Sequence, residues 1–132
     1  MTLRAVPVLR RVHLAAGALT LVAFLASGMY MRSIERPEDL GRLVMFTSRH
    51  IYILAAALVN PVLGAYVARS TNRAGRTLQH VGSFLLVASC ALLIAAFVFE
   101  PMAGRARTAV SSFGVIALFA GSLLHVVGGV KA

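Results

Sequence analysis

Four long apolar stretches, separated by short polar segments, dominate the pattern along this chain. They run without a charged residue over 14–31, 51–68, 81–99 and 108–130. A helix rising about 1.5 Å per residue needs roughly 20 such residues to cross a hydrocarbon layer about 30 Å thick. The stretches lack the alternating pattern of membrane strands, and a helix satisfies its own backbone hydrogen bonds in lipid. We therefore predict membrane-spanning helices over about 13–31, 50–68, 79–100 and 108–130.

The composition supports the same class, since 59% of the 132 residues are hydrophobic and only 13% are charged. Soluble domains are about half apolar and about a quarter charged. Short connections place sequential helices side by side, so the expected fold is an all-α, four-transmembrane-helix up-down bundle in one domain, 1–132. The longest connection, 32–49, has Pro37 at the start of a predicted short interfacial helix.

The net charge of +9 indicates which partner the protein meets and does not alter the predicted fold. Most basic residues stand next to the spans, where they meet lipid phosphates, so the charge indicates a lipid bilayer and not nucleic acid. Basic residues are nearly balanced between the two sides. All four acidic residues lie on the side opposite the amino terminus, which gives weak support to both termini being cytoplasmic. The expected location is a bacterial inner membrane.

Each predicted span carries one histidine, and the chain has four histidines in all. Counting from the span centres puts His13, His80 and His125 at similar depth, roughly 10–13 Å toward the side where the chain begins. His50 lies alone at the opposite interface. Ionisable residues inside a membrane usually face a partner or a cavity. The first three histidines therefore share a level. In an up-down bundle the first and third spans are diagonal, so His13 and His80 could face each other across the core, with His125 on a fourth span next to both.

Paired imidazoles at one level are what haem b ligation requires, with a nitrogen on each side of the iron. Arginines near the same interface offer partners for haem propionates: Arg10, Arg11, Arg73 and Arg76. The leading hypothesis is a small b-type cytochrome-like electron carrier, with His13, His80 and His125 as candidate metal ligands and a quinone as a candidate partner. The alternative is a cofactor-free structural or accessory subunit, in which histidines near the span ends reach headgroups or water.

Glycines recur at seven-residue spacing on the fourth span: Gly114, Gly121 and Gly128. Small residues let membrane helices approach closely, so these positions favour helix packing and a homodimer or larger complex through that span. They would equally allow a flat macrocycle to come near the backbone. Both interpretations stay open on the sequence alone.

The opposite side has its own polar group. The second span begins where the third ends, so Glu100 is expected to pair with Arg49 or His50 and close that end of the bundle. As an exposed ion pair it would contribute only about 0–1 kcal/mol. His50 is also a candidate cofactor ligand. A third hypothesis, copper handling, rests on His50 and the thioether ligands that copper(I) prefers, found on the same side: Met29, Met31, Met45 and Met102.

Asn60 and Pro61 interrupt the second span near its centre. Pro61 lacks a backbone donor and frees the carbonyl of Ala57, which predicts a kink. A carboxamide in a membrane needs a partner, and the freed carbonyl or Ser89 of the third span is the candidate. Asn60 is expected to hold helices together or, alternatively, to shape a ligand pocket.

Three segments carry a resemblance: Gly28-Met29-Tyr30-Met31, residues 49–54 (Arg-His-Ile-Tyr-Ile-Leu) and residues 60–64 (Asn-Pro-Val-Leu-Gly). In these the chain resembles small bacterial four-span membrane proteins, a likeness that covers about the first half and implies no activity. In architecture alone it is similar to membrane b-type cytochromes. That similarity implies paired haem-ligating histidines and a component of a membrane oxidoreductase rather than a stand-alone enzyme.

Overall fold

The computed structural model describes residues 8–34, 39–66, 68–103 and 108–129. These residues form four helices: α1 (Val8–Ser33), α2 (Leu40–Tyr66), α3 (Arg73–Ala103) and α4 (Ala109–Gly129). Each is long and apolar enough to cross a membrane. The prediction of an all-α, four-helix bundle is confirmed, and the protein is an integral membrane protein.

Short polar side chains begin two of the helices. The Asp39 carboxylate accepts the backbone N–H of Gly41 at 2.8 Å, immediately before α2. The Asn72 side-chain oxygen accepts the backbone N–H of Gly75 at 2.6 Å, immediately before α3. Both satisfy donors that a first helical turn leaves without an internal partner.

The second helix is longer than its predicted span. Residues 40–49, expected to form a separate interfacial helix, belong to α2 and continue into the span without a break. Pro37, the predicted start of that interfacial helix, lies outside the described residues. Pro61 lies inside α2, which remains one helix through this position.

Sequential helices run in opposite directions, which gives the bundle two ends. End A holds the first turns of α1 and α3 and the last turns of α2 and α4; end B is the opposite end. The closest backbone pairs are α1 with α2 and α3 with α4, and α2 packs on α3. Among the described residues α1 and α4 make no close backbone contact. The expected closed bundle, with α4 next to α1, is therefore replaced by one in which α2 and α3 are central.

Large apolar side chains face outward, whereas many of the residues between the helices are small or polar. Leu19, Phe84 and Phe119 are each more than 70% exposed, as expected for groups that face lipid tails. A compact apolar core lies between α2 and α3 and is joined by α4: Phe46, Ile53, Ala56, Leu63, Leu86, Cys90, Leu93, Phe97 and Leu118.

The glycines of α4 are buried against α3 of the same chain. A Cβ at Gly121 would lie 2.9 Å from the carbonyl oxygen of Gly82, and one at Gly128 would lie 2.6 Å from that of Gly75. A Cβ at Gly114 would meet Leu93 at 2.7 Å. These glycines therefore hold α3 and α4 together. They do not form a free face, so the expected dimer contact through them is not available.

Candidate functional site

Two of the three histidines predicted at one level meet at end A. His13 of α1 is completely buried and His125 of α4 is 2% exposed. Their ring centroids are 4.9 Å apart and the rings are nearly perpendicular, at 77°. The side chains thus bridge two helices whose backbones stay apart. We call His13, Asn60, Ser83 and His125, which come one from each helix, the end A cluster.

The amide of Asn60 fixes how His13 is protonated. The Asn60 Nδ2 group donates to the Ala56 carbonyl at 3.0 Å and to the Cys90 sulfur at 3.2 Å. The Asn60 oxygen therefore faces His13 Nδ1, 2.9 Å away, and accepts a hydrogen bond from it. Asn60 thus binds α1 to α2 and α3 through contacts other than the predicted ones, since Ser89 donates to Leu86 instead.

Ser83 links the two imidazoles. Its Oγ lies 2.9 Å from His13 Nε2, 3.0 Å from His125 Nδ1 and 2.7 Å from the Gln79 carbonyl oxygen. The single Ser83 hydrogen can be donated to only one acceptor at a time, the Gln79 carbonyl or His13 Nε2. His125 Nδ1 also lies 3.4 Å from the Gln79 carbonyl oxygen. Because this oxygen can only accept, a neutral His125 carries its hydrogen on Nδ1 and donates it toward Ser83 and Gln79.

This arrangement does not fit a haem. Ligation from both faces requires the macrocycle to stand between two imidazoles, but His13 and His125 are in direct ring contact. Both ring nitrogens of His13 also have protein partners already. Within the described residues no group of three or more His, Cys, Asp or Glu side chains could hold a metal ion. The predicted ligand set of His13, His80 and His125 is therefore not assembled.

His80 lies outside the cluster because it is on the exposed face of α3. It is exposed, whereas Gln79, Ser83 and Leu86 are buried on the face that meets the other helices. One residue on a helix is a turn of about 100°. The four predicted propionate partners are all exposed at end A, and two of them, Arg10 and Arg76, line a cavity there. Arg11 and Arg73 do not line it.

The predicted pairing of Arg49 with Glu100 is present at end B, in buried form. The Arg49 Nε group donates to Glu100 Oε2 at 2.8 Å, and the two residues are 6% and 2% exposed. Ser111 of α4 donates its backbone N–H to the other carboxylate oxygen at 2.8 Å, and Arg49 donates to the Ser111 hydroxyl at 3.2 Å. We call Arg49, Glu100 and Ser111 the end B clasp, and it joins α2, α3 and α4.

His50 takes no part in the clasp. Its Nδ1 lies 2.8 Å from the Ser27 hydroxyl, which donates to the Phe24 carbonyl at 2.8 Å. The imidazole stacks on the ring of Phe24, with centroids 4.1 Å apart. A Cβ on Gly28 would lie 3.2 Å from the imidazole. These contacts make His50 a packing residue between α1 and α2.

The methionines proposed for copper binding lie in different environments. Met29 is 73% exposed, whereas Met45 is 7% exposed. The sulfur of Met102 accepts a hydrogen bond from Arg42 at 2.6 Å. Copper handling at these residues stays a prediction.

Two members of the site, Ser83 and Gln79, are absent from the sequence-based predictions. Gln79 donates to the Ala68 carbonyl at 2.7 Å and accepts the backbone N–H of Ser70 at 2.9 Å, which fastens the loop after α2 to α3. The signal was their spacing. Residues 79, 83, 86 and 90 follow the three- and four-residue steps of one helix face, and that face contains Leu86 and Cys90 of the core.

Comparisons with protein families, with curated proteins and with solved structures find no match for this chain. The resemblance to small bacterial four-span proteins therefore stays a prediction. The case for a function rests on the geometry of the two ends of the bundle.

Proposed function

We propose that the protein is a cofactor-free accessory subunit of the membrane, in which buried polar clusters fix the packing of the spanning helices. The observation that supports it best is the state of His13. This side chain has no exposed surface, and its two nitrogens are bonded to Asn60 and Ser83. A histidine whose two ring nitrogens are both bonded within the protein stabilises the packing of the helices rather than binding a cofactor. Such fully satisfied polar networks fix one arrangement of the surrounding elements.

The hydrogen bonds join all four helices at end A. Interhelical polar contacts in membranes contribute about 0.6 kcal/mol each on average and up to about 2. Several of them converge here on the Ser83 hydroxyl and the Asn60 amide. Their combined effect is to set the depth and rotation of α1 and α4, which lack direct backbone contact. A subunit built this way offers a stable apolar surface to lipid or to other membrane proteins.

The absorption spectrum tests this proposal directly. The protein is purified in mild detergent from haem-replete cells, and oxidised and dithionite-reduced spectra are recorded with a pyridine haemochrome assay and metal analysis. We expect a colourless protein with substoichiometric iron and copper. A Soret band that shifts on reduction, with haem near one per chain, would overturn the proposal and return His125 and His80 to the role of ligands.

The same proposal includes a bacterial inner membrane and a cytoplasmic end A. Basic residues are nearly balanced between the two sides, so the support comes from the four acidic residues, all of which stand in the sequence on the side away from the amino terminus: Glu35, Glu38, Asp39 and Glu100. Carboxyl-terminal fusions to a fluorescent protein and to alkaline phosphatase report the orientation. Fluorescence without phosphatase activity agrees with a cytoplasmic end A, and the reverse result contradicts it.

A further inference from the structure

A cavity of about 500 Å³ opens at end A, beside the buried histidines. All four helices contribute to its lining. Apolar residues such as Val12 and Leu63 form part of its walls, and His125 is also a lining residue. Its volume lies in the range that small-molecule sites occupy, about 300–1,000 Å³. The cavity is thus large enough for a single small amphiphile.

The buried imidazole of His125 leaves one nitrogen for this cavity. Its Nδ1 is bonded to Ser83, whereas Nε2 has no hydrogen-bond partner among the described residues. Among the described residues, Arg42 Nε at end B is the only fully buried side-chain nitrogen or oxygen that lacks a hydrogen-bond partner, so His125 Nε2 is not one of these fully buried atoms. His125 Nε2 is therefore not sealed in the protein, and the cavity is the space that its ring lines.

The hydrogen bonds of His125 Nδ1 also determine whether Nε2 is a hydrogen-bond donor or an acceptor. His125 Nδ1 faces the Ser83 hydroxyl at 3.0 Å and the Gln79 carbonyl oxygen at 3.4 Å, and since the carbonyl can only accept, the hydrogen of a neutral His125 lies on Nδ1. The second nitrogen of His125 is left with a lone pair. A ligand that fits must therefore bring a hydrogen-bond donor to the cavity.

The cavity is basic as well. Arg10, Arg69 and Arg76 line it and are exposed. None of its described lining residues carries a carboxylate. Guanidinium groups bind carboxylates through paired, charge-assisted hydrogen bonds. The arginines thus favour a ligand with an acidic group, while the walls favour an apolar tail.

We propose that this cavity binds a long-chain carboxylic acid, of the fatty-acid class. One carboxyl group meets both polar requirements, because its hydrogen lies between one oxygen and His125 Nε2 while its other oxygen accepts from an arginine. The chain lies along the apolar walls. A long-chain alcohol has a hydroxyl that can donate to His125 Nε2 but no acidic group for the arginines. A methyl ester has neither a donor nor an acidic group. The inference rests on the proposed cofactor-free state, since a metal ligand at His125 would occupy the same nitrogen.

The test uses palmitic acid labelled with carbon-13 at the carboxyl group and the full chain in bicelles, with binding followed by the shift of the carboxyl resonance. The Arg10→Gln/Arg76→Gln double variant removes two cavity-lining charges. The Arg11→Gln/Arg73→Gln double variant removes two charges at the same end whose side chains do not line the cavity. We expect affinity to fall about tenfold or more in the first variant, a change of about 1.4 kcal/mol, and to stay within about twofold in the second.

A third variant, His125→Leu, is expected to lose the shifted carboxyl resonance; if it does not fold, the arginine pairs decide alone. Equal loss in the two arginine variants would overturn the inference, because it would mean attraction to the whole basic surface. Competition by hexadecanol or methyl palmitate as strong as that by unlabelled palmitic acid would overturn it too. A colourless protein that shows no bound resonance overturns this inference and leaves the proposed function intact. A haem-containing protein overturns the proposed function itself.

Discussion

The two ends of the bundle both contain buried polar side chains that join helices, but the side chains differ in chemistry. Both bury polar side chains between helices, but the end B clasp is charged and the end A cluster can be assigned without any charge. In the clasp, each oxygen of the Glu100 carboxylate has its own donor, from Arg49 and from Ser111. In the cluster, Nε2 of His125 has no partner among the described residues, and His125 lines the cavity. End B is closed, and end A keeps one bonding position open.

The two ends also differ in whether their hydrogen bonds can rearrange. An imidazole can carry its hydrogen on either nitrogen, and the Ser83 hydroxyl can turn between partners, so the cluster can rearrange after a change. A guanidinium cannot give up its charge, so Arg49 depends on Glu100. We therefore expect substitutions at end B to destabilise the fold more than comparable substitutions at end A.

The largest effect is expected for Glu100→Ala. It leaves Arg49 as a buried charge without its carboxylate and removes the acceptor of the Ser111 N–H. Removing one partner of a buried ion pair costs about 3–5 kcal/mol. The loss should appear as a much lower thermal unfolding midpoint in detergent, followed by circular dichroism.

The matched control replaces both charged residues, in Arg49→Met/Glu100→Leu. Exchange of a whole buried pair for apolar side chains of similar size is often neutral, so most of the lost stability should return. A double variant as unstable as Glu100→Ala would show that the pair is not the cause.

A smaller effect is expected for Asn60→Leu at end A. The change removes the acceptor of His13 Nδ1 and a donor to the Ala56 carbonyl, at a cost of about 1–3 kcal/mol for the unmatched groups. Movement of the His13 hydrogen to Nε2 limits the loss. The same unfolding assay measures it, with Ser89→Ala as the control, because the Ser89 hydroxyl donates to the carbonyl of Leu86 in its own helix and joins no second helix among the described residues. A loss at Asn60 equal to that of Glu100→Ala would remove the distinction between the ends.

The smallest effect is expected for His80→Ala. His80 is exposed and lines the end A cavity, and substitutions of exposed residues usually change the free energy of unfolding by no more than about 0.5 kcal/mol. A large loss of stability at His80, measured in parallel with Asn60→Leu, would contradict the assignment of the buried face of α3.

The fold could be predicted from the sequence because hydropathy reports directly on which segments cross a membrane. Depth along the helix axis was also accessible, which is why His13 and His125 were expected at one level. Depth does not distinguish His80 from Gln79, because a step of one residue is a turn of about 100° that leaves His80 exposed and Gln79 buried. The four-residue spacing of Gln79 and Ser83 carries that information.

The neighbours of each helix could not be predicted from apolar patterning. All four spans are apolar on most sides, so the pattern does not show that α1 and α4 stay apart. Glycine spacing indicated a close helix contact but not the partner, which is α3 of the same chain rather than a second copy. The buried form of the clasp also depends on that packing, because only α4 brings Ser111 to Glu100.

The separation of α1 from α4 also bears on how the chain is made. The bundle divides into two hairpins, α1 with α2 and α3 with α4, and the ribosome completes the first before the second has emerged. Within the first hairpin His13 already meets Asn60, whereas Arg49 waits for a carboxylate that lies 51 residues further along. A product that stops after α2 therefore carries an uncompensated charge at the edge of the lipid. The second hairpin supplies the carboxylate that balances Arg49 of the first, so this charge is compensated only when the two hairpins have docked.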